Sequence, residues 1–72
     1  MLVSSGAGLA AVVRARRKDL RLTQVDLSDA AGVSTRAIFD LENGKASVTF
    51  KNLLTILEVL GLELDIEVAA NG

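Results

Sequence analysis

The chain has 72 residues, half of them hydrophobic, with no Cys, His, Trp or Tyr and a formal net charge of −1. That length supports one domain, which buries only about 60% of its unfolded surface, so association with a second copy is a common remedy for marginal stability. The missing residue types exclude a disulfide framework, the usual zinc sites, Cys- or His-based nucleophile pairs and a Trp/Tyr platform for single-stranded nucleic acid.

The longest apolar run, Leu9 to Val13, is five residues, against roughly 18 needed to cross a membrane. No charged leader precedes an apolar segment, so the expectation is a cytoplasmic protein with no membrane partner. Charge is unevenly spread. Residues 1–45 hold seven Lys/Arg and five Asp/Glu (+2), and residues 46–72 hold one Lys and four Asp/Glu (−3). The first part is mildly basic, so its non-specific attraction to a polyanion is modest.

Residues 1–8, with two Gly and two Ser, read as a flexible lead. A helical period follows over about residues 8–20, where Leu9, Val12, Val13, Arg16 and Leu20 share a face. Arg14, Arg16, Arg17, Lys18 and Arg21 crowd its C-terminal half, which suits the helix dipole. They read either as a solvated helix end or as phosphate contacts. Thr23 is placed to cap a second helix with Leu27, Ala30 and Ala31 inward, and Gly32 ends it. Ser34 caps a third helix with Ile38 and Leu41 inward, closed by Asn43-Gly44. A fourth helix, from about residue 49 to 60, has Thr49 as cap and Phe50, Leu53, Leu54, Leu57 and Leu60 as its buried stripe. Gly61 stops it.

From Leu62 the period changes to two. Leu62, Leu64, Ile66 and Val68 alternate with Glu63, Asp65 and Glu67, as in a strand with one wet face. A lone strand leaves its backbone groups unpaired, so the expected remedy is antiparallel pairing with the same strand of a second subunit. Residues 69–72 are a tail.

Two short helices meeting at Gly32-Val33, the second opening with small polar and basic residues, form a helix-turn-helix layout whose second helix enters a DNA major groove. Leu-Thr-Gln-x-x-Leu, Ala-Gly-Val-Ser and Ile-x-x-Leu-Glu-Asn-Gly-Lys, within Leu22–Lys45, resemble the phage-repressor-like (XRE or Cro/C1) helix-turn-helix family, over about residues 9–62. The resemblance implies a mostly α fold: a four- to five-helix lambda-repressor-like bundle over residues 9–61. The strand at 62–68 would pair across a homodimer bound to a palindromic double-stranded operator. The Leu-Gly-Leu-Glu-Leu-Asp-Ile-Glu ending looks like the antitoxins of HipA/HipB-type toxin–antitoxin modules. That branch implies repression of its own operon and a HipA-like kinase toxin as partner.

The resemblance also implies residue roles. Base reading falls on Ser34, Thr35, Arg36 and Asp40. Arg36 is the strongest of these, since a guanidinium can bond guanine O6 and N7 together. Phosphate contact falls on Thr23, Gln24, Asn43 and Lys45; capping with Thr23 and surface solvation are the plain readings of Gln24 and Lys45. Arg17 and Glu42 match a structural ion pair, and Leu62, Leu64, Ile66 and Val68 a dimerisation strand. Asp40 can accept from cytosine N4 or orient Arg36 four positions earlier, and the latter is favoured. Phe39 sits beside the reading face with three uses open: the first helix, a methyl group or a partner. Arg21 stands where many relatives have Gly.

No carboxylate pair suggests an enzyme, and no cofactor is expected. The leading reading is a sequence-specific repressor and antitoxin. A standalone regulator and a protein-interaction scaffold are the alternatives.

Overall fold

A computed structural model describes residues 6–45 and 47–68. These described residues form four helices in order: α1 (Gly6–Asp19), α2 (Gln24–Ala31), α3 (Thr35–Glu42) and α4 (Phe50–Val59). Helix α1 starts earlier than the expected lead over 1–8 allows. Gly6, Ala7 and Gly8 are helical, while residues 1–5 and the tail at 69–72 lie outside the described residues. A Cβ on Gly6 would stand 2.9 Å from the carbonyl oxygen of Gly44, so the bare glycine lets this part of α1 rest on the loop after α3.

The three later helices each open on a hydroxyl cap. Thr23, Ser34 and Thr49 hold extended backbones and accept the N–H of Asp26, Ala37 and Asn52 at 3.0, 3.0 and 3.1 Å. Each bond satisfies one of the N–H groups that a helix start leaves orphaned. At the end of α2, Gly32 takes φ 68°, in the left-handed region that lets the chain turn sharply into α3. Arg21 adopts φ 58° in the α1–α2 link, a conformation glycine holds at less cost.

Val13, Leu27, Ile38, Leu41, Ile56, Leu57 and Leu60 form the core. Helix α3 packs on both α1 and α2, and α2 also packs on α4. Two expected faces are rotated. On α4 the buried arc centres on Ile56, Leu57 and Leu60, so Phe50 and Leu54 fall on its flank and are 63% and 41% exposed. At 100° per residue, Ile56 and Leu60 lie closer together than either does to Leu54. On α2, Ala30 is exposed and Ser28 is buried.

The alternating segment 62–68 does not form a strand in the single chain. Leu62 packs against the core, but Leu64, Ile66 and Val68 are exposed. A strand needs a neighbour to take up its N–H and C=O groups, and the described residues of one chain supply none.

Candidate nucleic-acid interface

Helix α3 is amphipathic about a sharp division. Ile38 and Leu41 are buried, while Thr35, Arg36 and Phe39 face outward. The turn that sets this orientation is short: Gly32 reverses the chain, Val33 tucks its side chain against the core, and Ser34 starts the helix.

Arg36, at the centre of the outward face, is held by two neighbours on its own helix. Its Nε lies 3.1 Å from Asp40 Oδ1, and its guanidinium sits over the Phe39 ring, 5.5 Å from the centroid. Lys45 Nζ approaches the same carboxylate oxygen at 3.7 Å, and Ser47 donates to Oδ2 at 3.5 Å. Oδ1 has charged neighbours but no aligned hydrogen bond. Asp40 therefore lies between a guanidinium and an ammonium, both mostly exposed. Phe39 had no assigned use in the sequence; here its ring meets Arg36, a contact that i,i+3 spacing makes available.

The four expected phosphate residues sit in different settings. Thr23 is engaged in a reciprocal cap, its N–H donating to Asp26 Oδ2 at 2.9 Å while its hydroxyl accepts the Asp26 N–H. The Thr23 backbone N–H, and secondly its hydroxyl, hold the Asp26 carboxyl below its ordinary range. Gln24 donates from Nε2 to Glu42 Oε1 at 3.3 Å, and Asn43 donates from Nδ2 to the Phe39 carbonyl at 2.7 Å. Each amide carries two N–H donors. The Lys45 side chain is 56% exposed.

Behind this face Arg17 and Glu42 form a two-pronged pair. Nε donates to Oε2 at 2.7 Å and Nη2 to Oε1 at 2.9 Å, with the side chains only 11% and 3% exposed. The remaining prong, Nη1, donates to the Leu22 carbonyl at 2.8 Å. The hydrogen bonding of Arg17 to the Glu42 carboxylate raises the Arg17 pKa further above its already high ordinary value. This network ties α1, the α1–α2 link, the start of α2 and the end of α3 together. The rest of the basic cluster divides: Arg16 donates to the Leu60 carbonyl at 2.8 Å and closes the end of α4, while Arg14, Lys18 and Arg21 are exposed.

Among the described residues, no group of three or more His, Cys, Asp or Glu is placed to hold a metal, and no helix is long and apolar enough to cross a membrane.

A family model described as helix-turn-helix matches residues 13–66. The chain belongs to the helix-turn-helix family of transcriptional regulators. This regulator is similar to the uncharacterized HTH-type transcriptional regulator y4mF of Sinorhizobium fredii (strain NBRC 101917 / NGR234). The two are 39% identical over 64 residues, covering 89% of this chain and 84% of the relative. It is 31% identical over 61 residues to the ImmF control region 10 kDa protein of Bacillus phage phi105, covering 85% and 68% of the two chains. Among solved structures it resembles HipB in the HipB-O4 20mer complex. The TM-score there is 0.84 at 25% identity, covering 96% of this chain and 97% of that one. A chain of the HipA-HipB-O2-O3 complex matches at TM-score 0.84 and 24% identity, covering 94% and 96%, and shows the fold alone. The regulator thus has a HipB-like helical fold.

Proposed function

We propose that this regulator is a homodimeric repressor that reads a palindromic operator through α3. We further propose that it acts as the antitoxin of a HipA/HipB-type module and represses its own operon. The observation that carries this reading is the outward ridge of α3. With Ile38 and Leu41 buried, Arg36 is carried on the outward side of α3, its side chain 71% exposed, near the exposed Lys45. Ser34, Thr35 and Arg36 read base edges, and Asp40 orients Arg36. Thr23, Gln24, Asn43 and Lys45 meet phosphates along the groove wall, aided by the positive end of α2.

In the dimer, Leu62, Leu64, Ile66 and Val68 pair with their counterparts. The exposure of Leu64, Ile66 and Val68 in the single chain supports this, since such side chains gain by burial against a second copy. Two linked half-sites then lie about 34 Å apart. The HipA-like kinase partner is supported by the fold shared with HipB. The second reading is a standalone regulator; the y4mF relative carries the name of a transcriptional regulator, which fits either reading.

Fluorescence anisotropy on duplexes from the promoter of the protein's own gene tests the first part. Wild type prefers a palindrome, Arg36→Ala loses that selectivity, and Lys45→Ala weakens all duplexes alike. Retained site preference in Arg36→Ala removes it from base reading. Removing residues 62–72 should shift the sedimenting species from dimer to monomer and sharply lower operator affinity. Co-purification with a kinase-like protein encoded next to the gene separates antitoxin from standalone regulator.

A further inference from the structure

The hydroxyl of Thr35 has its polarity set by a residue outside the expected reading set. Ser28 is buried on α2, and its Oγ lies 2.8 Å from the Val25 carbonyl oxygen and 3.2 Å from Thr35 Oγ1. A serine hydroxyl has a single proton. The Val25 carbonyl can only accept, and two oxygens at 2.8 Å with no proton between them repel. The Ser28 proton is therefore committed to Val25, and the bond to Thr35 must run the other way, from Thr35 to Ser28. This uses the only proton the Thr35 hydroxyl has. Toward solvent that hydroxyl offers lone pairs alone.

The adjacent cap is the reverse case. The Ser34 hydroxyl accepts the Ala37 N–H at 3.0 Å, a bond that does not use its own proton. The first turn of α3 thus sets a hydroxyl that can donate next to one that can only accept.

We infer that Thr35 is an obligate hydrogen-bond acceptor in the major groove, held so by Ser28, and that it selects a base with an exocyclic amino group. In that groove the amino donors are adenine N6 and cytosine N4, whereas guanine and thymine present acceptors. An acceptor facing guanine O6 or thymine O4 leaves two oxygens unpaired against each other, so those bases are rejected at this position. Ser28 is a positioning residue: it touches no base and acts by fixing the direction of the Thr35 proton. The inference rests on the proposed reading of α3.

The test selects duplexes from a random pool with wild type, Thr35→Val and Ser28→Ala. The wild-type consensus is then remade with the amino group deleted, purine replacing adenine or 2-pyrimidinone replacing cytosine, one position at a time. Wild type should lose about two- to tenfold in affinity at one position per half-site, the worth of one hydrogen bond. Thr35→Val should be indifferent to that deletion. Ser28→Ala, which removes the proton acceptor but leaves Thr35 in place, should widen the preference there to admit guanine or thymine, with its helical circular dichroism unchanged. Amino deletion without effect at every position, or an unaltered consensus in both variants, overturns the inference while leaving base reading by α3 intact. A uniform loss of affinity in Thr35→Val assigns it to a phosphate and overturns the inference too. If wild type selects no sequence, the reading of α3 itself fails, and this inference with it.

Discussion

Arg17 and Glu42 stand 25 residues apart in the chain and meet through two parallel hydrogen bonds of 2.7 and 2.9 Å, almost wholly shielded from water. One charge left there alone would be buried without a partner. Glu42→Ala should cost about 3–5 kcal/mol in urea unfolding, a large part of the stability of a small domain. The double variant Arg17→Met/Glu42→Leu, which removes both charges, should recover most of that loss. Equal instability in single and double variants would mean that packing, not charge, dominates the site.

Arg21 occupies a left-handed backbone conformation at φ 58°. A side chain there costs roughly 1–2 kcal/mol, while glycine adds flexibility to the unfolded chain worth about 0.4–1 kcal/mol. Arg21→Gly should therefore raise stability slightly, by about 0.5 kcal/mol, seen as a small rise in Tm. Arg21→Val, β-branched and poorly suited to positive φ, should lower it.

The Thr23–Asp26 cap gives α2 a pH dependence. The folded Asp26 carboxyl lies below its ordinary value of 3.8, so as acid is added the unfolded chain takes up that proton first. The stabilisation from this group is whole above that value and is lost as pH falls through the lower, folded one. In Asp26→Asn this part of the acid-unfolding curve should be absent, as followed by helical circular dichroism between about pH 5 and pH 2.

Asp40 partly neutralises both Arg36 and Lys45. In Asp40→Asn both cations are released, so affinity for unrelated duplexes should rise and grow more dependent on salt. Discrimination should fall, because Arg36 loses a neighbour that restrains it. Anisotropy on a selected and a scrambled duplex at two salt concentrations measures both effects. A loss confined to the selected duplex would instead mean that Asp40 itself meets a base.

Both ends of α2 and the starts of α3 and α4 were readable because the caps are chemical: Thr23, Ser34, Thr49 and Gly32 each do what their side chain, or its absence, makes easy. The inward pair Ile38 and Leu41 was readable from helical period. Other features depend on relations across helices. Ser28 resembles any polar helix residue until its distances to Val25 and Thr35 are known. Phe50 and Leu54 looked buried because apolar residues crowd α4 on more than one side, and composition does not say where the buried arc is centred. The strand expected at 62–68 differs in kind, since that expectation rests on pairing with a second chain.

Gly6 leaves its bare Cα against the carbonyl of Gly44. Helix α1 therefore sets out within touching distance of the segment that carries Asn43 and Lys45. Any polypeptide fused upstream would join the chain near the surface proposed to meet the duplex, and its charge would be felt there. An acidic leader would push phosphates away. A basic one would tighten the grip on every DNA sequence alike, blunting selectivity without touching a single reading residue.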